Sequence, residues 1–207
     1  MARKTKEEAL KTREAIIDAA VRVFSAKGVS RSTLTDIADE AGVTRGAIYW
    51  HFKNKEDLLE VLWDDILSPF EAVRHAGEDT NEADPLGLLE KAYLDLFHGL
   101  QKNPRRLQML KILLNNAESV EDPSYHSQKR HFQEGQEMIA NVLTKAIKHG
   151  QLPESFDVRL GSIATLVFMN GLIRKWIMFP DMLCIDKEIP ALLEGLGQMI
   201  RTGFARS

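Results

Sequence analysis

Arg45, Tyr49, Trp50 and His51 fall within seven residues and are followed by Lys53 and Lys55. On a short helix whose inner side is Ile48 and Phe52, four apart, the outward positions are Arg45, Gly46, Tyr49 and Trp50. An arginine near the start of such a helix can donate to O6 and N7 of guanine in the major groove, and Gly46 and Ala47 let the backbone come close to the bases. Tyr49, His51, Lys53 and Lys55 would then reach phosphates, and the first N–H groups of a following helix at Asn54 and Lys55 offer another phosphate site. A solvated helix rarely spends its surface on Tyr and Trp. The other reading of Trp50 is a ring packed partly under the first helix, and helix-turn-helix spacing alone also occurs in helical proteins that bind no DNA.

These residues depend on the elements around them. Leu34, Ile37, Ala38 and Ala41 repeat at i, i+3, i+4 and i+7, with Thr33 as N-cap and Asp36 three residues on in a capping-box position. Gly42 supplies the left-handed turn residue, Thr44 caps the next helix, and Val43 and Ile48 take the hydrophobic-staple positions. Residues 33–52 therefore read as a helix-turn-helix. Before it, Ile16, Ile17, Ala20, Val23 and Phe24 share one face of a helix expected over residues 8–27 and stopped by Gly28. After it, Asn54 caps a fourth helix with Leu58, Leu62 and Ile66 inward, kinked or ended at Pro69. Asp84-Pro85, Asn103-Pro104 and Asp122-Pro123 each set a capping side chain before a proline at the first helical position, predicting three more helix starts. Two further helices are expected over about 156–179 and 186–204. With no sustained period-two alternation, the expected fold class is all-α.

Charge is distributed unevenly. Residues 1–55 hold 11 Lys or Arg against 7 Asp or Glu, while residues 56–207 hold 16 against 23, within a chain of net charge −3. A small basic DNA-facing module (1–55) on an acidic body (56–207) fits this pattern. The one cysteine, Cys184, cannot form an internal disulfide, and no apolar stretch reaches the ~18 residues of a membrane span. A cytoplasmic protein with no membrane partner is expected.

Enzymatic chemistry finds little support. The six histidines include no His-Glu-x-x-His motif, and His126 and His131, five apart, point about 140° away from each other on a helix. There is no Gly-rich phosphate loop. No catalytic residue, metal site or cofactor is assigned. In the acidic body, Trp63, Phe97, Leu113, Phe132 and Phe168 could line a cavity for a small apolar molecule or simply be core. Asn116 and Asn170 interrupt apolar runs, so each needs a hydrogen-bond partner, either a ligand or a backbone carbonyl. The last two helices carry more apolar residues than one face needs, and Leu172, Trp176, Leu192, Leu196, Met199 and Ile200 are the expected surface for a second copy.

The run from Thr33 to Lys55, TLTDIADEAGVTRGAIYWHFKNK, resembles the DNA-binding signature of the tetracycline-repressor (TetR) family. Its Thr-Arg-Gly-Ala-Ile-Tyr-Trp-His-Phe ending and the opening from Ala2 to Ala9 are similar to the AcrR-like branch, which represses multidrug efflux pumps. The likeness extends weakly through Asp84-Pro85-Leu86, Gly150 to Pro153 and Gly171 to Trp176. It implies a nine-helix homodimer that holds a palindromic double-stranded operator and releases it when a small-molecule inducer enters the larger domain. It also implies DNA-facing roles for Thr33, Thr35, Thr44, Arg45, Gly46, Ala47, Tyr49, Trp50, His51, Lys53 and Lys55, with Arg3, Lys4 and Lys6 as an N-terminal arm. A metabolic regulator answering to a fatty-acyl compound is the alternative within the same family. The chain departs from the AcrR-like pattern at Asn115 to Ser119, late in the sixth expected helix, so the inducer preference of those relatives does not carry over.

Overall fold

A computed structural model of the protein describes residues 2–78, 83–115 and 123–204. Its helices are α1 (Ala2–Lys27), α2 (Leu34–Ala41), α3 (Arg45–His51), α4 (Lys55–Leu67), α5 (Glu71–Glu78), α6 (Pro85–Lys102), α7 (Pro104–Asn115), α8 (Pro123–Lys148), α9 (Val158–Met178) and α10 (Ile185–Gly203). Among the described residues there is no β-strand. A 3-10 turn, Ser68–Phe70, joins α4 to α5 without a gap, so counting these as one helix kinked at Pro69 gives nine. The proline does not end the helical path, because a proline in the first turn of a new segment has no N–H to leave unpaired.

α1 begins at Ala2, well before the position expected from apolar periodicity. Its first turns are polar and carry no periodic signal, yet they contain no Gly or Pro, and Lys11 pairs with Glu7 at 2.9 Å one turn back. Arg3, Lys4 and Lys6, expected as an N-terminal arm, lie in the first turns of this helix.

The chain forms two compact units. The first lies within Met1–Ile66 and Pro104–Arg130, the second within Leu67–Asn103 and His131–Ser207. In the first, α1 packs on α2 and α7, and α2 on α3. Ile16, Ala20, Phe24, Ile37, Ile48, Leu58, Leu62 and Met109 are buried there, each large side chain contributing roughly 1.5–3 kcal/mol. Polar links fasten the helices at their margins. Arg105 on α7 donates from Nε to Asp18 Oδ1 at 2.6 Å on α1, and its neighbour Arg106 reaches the carbonyl oxygens of Asp65 and Ile66 at the end of α4. Ser127 Oγ donates to Glu60 Oε1 at 2.7 Å, fixing the start of α8 to α4.

In the second unit α6 packs against the 3-10 turn, α5 and α10. Phe70 meets Tyr93 edge to face at 4.9 Å between ring centroids, and Phe97 meets Trp176 at 5.9 Å. Asp84 caps α6 through Gly87 N–H and also accepts from Gln151 Nε2 at 2.7 Å, closing the turn after α8 onto the start of α6. Gly161 on α9 is required by close approach, since a Cβ there would lie 2.4 Å from the Phe156 ring. Asp157 N–H donates to Phe204 O at 2.6 Å, tying the start of α9 to the residue after α10.

Candidate nucleic-acid interface

The exposed helix is held by four local devices. Thr33 N–H donates to Asp36 Oδ2 at 2.8 Å while Asp36 N–H donates to Thr33 Oγ1 at 3.1 Å, which completes the expected capping box on α2. Lys27 Nζ donates to Asp36 Oδ1 at 2.8 Å. The hydrogen bond from Lys27, then those from Thr33, hold the Asp36 carboxyl down at about 2. Gly42 takes φ +67, and Val43 N–H donates back to Ala38 O at 3.0 Å, so the turn satisfies the last carbonyls of α2. Thr44 Oγ1 accepts from Ala47 N–H at 3.1 Å and starts α3.

α3 is seven residues long, too short to stand alone, and Ile48 and Phe52 anchor it with relative exposures of 0 % and 2 %. Arg13 on α1 places its guanidinium carbon 5.3 Å from the centroid of the Phe52 ring, closing the far end. Arg45, Gly46, Tyr49 and Trp50 are left outward. Trp50 is 74 % exposed and Tyr49 56 %, so Trp50 is not a core residue. Its indole stands edge to face against the half-buried His51 ring, 4.5 Å between centroids. Burial first and the Arg13 charge second push the His51 imidazole below the ordinary histidine range, which favours its neutral form. A Cβ on Gly46 would meet only Thr44 Oγ1, at 3.9 Å, so nothing within the chain demands glycine there.

The remaining DNA-facing expectations are placed as follows. Thr44 and Lys53 are exposed, Thr35 and Ala47 half-buried, and the Thr33 hydroxyl donates to Asp36 Oδ2 at 2.8 Å. Arg3 and Lys4 stand in the first turns of α1. The Lys55 ammonium is turned inward onto the backbone of the α1–α2 turn. Sequence reasoning passed over Arg31, an exposed cation in that turn whose Nε donates to Lys27 O at 3.0 Å. Its position before Thr33 is the signal that could have found it.

Of the residues expected around a ligand, Trp63 and Leu113 are buried in the first unit and Phe97 is buried in the second. Phe132, Phe168 and Asn170 are half-buried in the second unit, and Asn116 lies outside the described residues. A cavity of about 40 Å³ in that unit is lined by Leu86, Leu89, Tyr93, Thr165, Leu193 and Leu196, among others. It has room for water, not for a drug-sized molecule, and none of the expected ligand residues borders it.

The residues expected at a partner surface differ in their burial within the chain. Leu172, Trp176, Leu196 and Ile200 are covered by the chain's own packing, with exposures of 5–8 %. Leu192 is half-buried and Met199 is exposed. The outward apolar residues of α9 are Leu160, Val167 and Met178, at i, i+7 and i+18.

Residues 16–62 match the family described as "Bacterial regulatory proteins, tetR family", and residues 84–202 match "MAATS-type transcriptional repressor, C-terminal region". The chain is 40 % identical over 183 residues to the HTH-type transcriptional regulator TtgR of Pseudomonas putida, covering 87 % of each. Among solved structures it is similar to NalD, the secondary repressor of the MexAB-OprM multidrug efflux pump in Pseudomonas aeruginosa, with 29 % identity, TM-score 0.77 and coverage of 96 % of this chain and 100 % of that one. The complex of SmeT with triclosan gives TM-score 0.83 at 26 % identity, covering 93 % of each chain. Another structure of SmeT is described as the repressor of a Stenotrophomonas maltophilia multidrug efflux pump.

Proposed function

Because the chain belongs to the tetR family of bacterial regulatory proteins and carries the C-terminal region of the MAATS-type repressors, we propose that it represses a multidrug efflux operon and leaves its operator when a small apolar or amphipathic compound binds. The observation that carries the DNA half of this reading is Trp50 at 74 % exposure beside Tyr49 and Arg45, on a helix capped by Thr44 and anchored by Ile48 and Phe52. An exposed indole on a rigid, cation-bearing two-turn helix is costly in water and useful against DNA.

Arg45 reads a base edge, Gly46 and Ala47 admit the backbone, and Thr33, Thr35, Thr44, Tyr49, Trp50 and Lys53 surround that contact on the sugar-phosphate side. His51, whose imidazole is held toward its neutral form, contributes a hydrogen bond. In this division of labour residues 1–55 hold DNA, while residues 56–207 bind ligand and pair two copies. Two copies related by a two-fold axis read half-sites about one helical turn, ~34 Å, apart or a multiple of it. Release requires the compound to favour a conformation in which that spacing is wrong; equal affinity for both states would shift nothing. Phe132, Phe168 and Asn170 are the ligand candidates still partly open in the second unit, whereas Trp63, Phe97 and Leu113 reach a ligand only by displacing neighbours. The names of the similar repressors favour efflux over the fatty-acyl alternative. Among the described residues no helix is long and apolar enough to cross a membrane.

The test is fluorescence anisotropy with DNA from upstream of the gene, a scrambled control at fixed salt, and then a panel of dyes and antibiotics. Specific binding reversed by several chemically unlike compounds supports the reading. Binding that none reverses removes the multidrug part, and failure to prefer upstream DNA over the control removes direct regulation at that site.

A further inference from the structure

Lysine is a poor choice for the first residue of a helix, where the unpaired N–H groups already carry partial positive charge. Lys55 occupies that place in α4. A phosphate-binding role would point its ammonium outward, toward the same side as those N–H groups. Instead Nζ donates to Val29 O at 2.7 Å, Ser32 O at 2.9 Å and Ser30 O at 3.2 Å. The three acceptors use all three ammonium donors.

Those carbonyls belong to the turn between α1 and α2. Gly28 at φ +78 ends α1, and within the turn Ser32 N–H donates to Val29 O at 3.3 Å, backed by the buried Ser32 hydroxyl on the same oxygen at 2.7 Å, while Arg31 Nε donates to Lys27 O at 3.0 Å. The next residue, Thr33, is the N-cap of α2. Whatever sets this turn sets the direction in which α2 leaves α1, and through Gly42 the place of α3. At the other end of the same lysine, Asn54 Oδ1 caps α4 by accepting from Asp57 N–H at 2.9 Å, and Asp57 Oδ2 accepts from Lys53 N–H at 2.8 Å. The lysine therefore springs from a fixed point.

We propose that Lys55 is a positioning residue for DNA recognition: its ammonium staples the α1–α2 turn to the start of α4, so that α2, α3 and α4 move as one body, and it does not itself neutralise a phosphate. This rests on the DNA-binding reading above. α4 contacts phosphate, where it does, through the N–H groups of its first turn.

The experiment uses the full chain, the upstream DNA, and the variants Lys55→Met, Lys55→Arg and Lys53→Ala. Affinity is measured between 50 and 200 mM salt, together with thermal midpoints and amide hydrogen exchange over residues 29–34; these salt limits span a roughly fourfold range in which each lost phosphate contact lowers the log–log slope by about 0.9. The staple predicts that Lys55→Met keeps the parent slope, loses roughly tenfold in affinity at every salt, melts earlier and exchanges faster in the turn. Lys55→Arg should share the earlier melting and faster exchange, because a planar guanidinium cannot converge on three carbonyls in the space of an ammonium, while keeping the slope. Lys53→Ala supplies the comparison, a shallower slope with the melting point unchanged. The proposal is overturned if Lys55→Met shows the Lys53→Ala pattern, or if Lys55→Arg is indistinguishable from the parent in melting and exchange. A parent that binds no upstream DNA specifically defeats the function above, yet the melting and exchange comparisons still decide whether the staple exists.

Discussion

Lys27, the last residue of α1, and Asp36, in the first turn of α2, meet at 2.8 Å, and the same carboxylate accepts from both the backbone and the hydroxyl of Thr33. One side chain thus ends one helix, begins the next and fixes the distance between them. With Arg22 and Glu40 at 2.5 Å, it makes the α1–α2 pairing polar at its rim and apolar beneath.

Asp36→Asn should lower the thermal midpoint at neutral pH, and the size of the loss should depend on pH in one direction. The Asp36 carboxyl titrates at about 2 when folded against an ordinary 3.8, so its stabilisation is fully present above the unfolded value and disappears as pH falls from 3.8 through about 2. Parent and variant melting curves should therefore converge over that acid window. A gap that stays constant from pH 7 to pH 2 would show that the carboxylate is not the source.

Arg45→Ala removes the outward guanidinium at the first position of α3 without touching the Thr44 cap or the Ile48 anchor. Specific operator affinity should fall by about 1–3 kcal/mol with base preference relaxed at one position per half-site, while binding to scrambled DNA changes much less. Competition with single-base operator variants checks this. Equal losses on every sequence would reassign Arg45 to phosphate.

Gly46→Ala separates fold from recognition. The added Cβ meets only Thr44 Oγ1 at 3.9 Å, and alanine is the better helix former by up to about 1 kcal/mol, so urea unfolding should show equal or greater stability. Operator affinity should nevertheless drop, because the methyl group occupies the space through which the backbone approaches the bases. A variant that is more stable and binds as well as the parent would remove Gly46 from the interface.

Arg106→Met should cost stability through the end of α4. The Arg106 Nη2 group donates to the carbonyls of Asp65 and Ile66, and Nε sits 2.8 Å from Asp65 Oδ1. Losing charge-assisted hydrogen bonds at a side chain only 16 % exposed should cost about 1.5–3 kcal/mol in urea unfolding. A loss within error of zero would mean that water replaces the arginine freely.

The parts of the fold legible in the sequence were those written in neighbouring residues. Thr33 with Asp36, Gly42 before Thr44, Asn54, and Asp84 before Pro85 are local devices whose chemistry is complete within four residues, and each stands where its spacing placed it. What stayed hidden depends on residues far apart in the chain. Nothing near Lys55 indicates that its partners lie 23 to 26 residues earlier. The helix Glu71–Glu78 was concealed by Pro69, which reads as a stop unless the 3-10 turn that contains it is known. Apolar periodicity likewise reported that α9 and α10 are rich in large side chains, but not that α6 would cover Leu196 and Ile200 around Tyr93.

The exposed apolar residues of α9 and α10 allow a test of where two copies pair. Val167 is 66 % exposed and Met178 67 %, on the same outward side of α9 as Leu160, while Met199 is 42 % exposed on α10. Uncovered side chains of this size on two adjacent helices suit a bundle shared by two copies. Val167→Glu places a charge at the middle of that α9 stripe without disturbing the interior, so the variant should keep the parent's helical circular dichroism. In sedimentation velocity it should shift from dimer toward monomer, with operator affinity falling because half-sites are no longer read together. Leu196→Ala, by contrast, opens a hole in the second unit and should lower stability by about 2–5 kcal/mol before it changes association. A Val167→Glu protein that sediments as the parent dimer would place the pairing surface elsewhere than on α9.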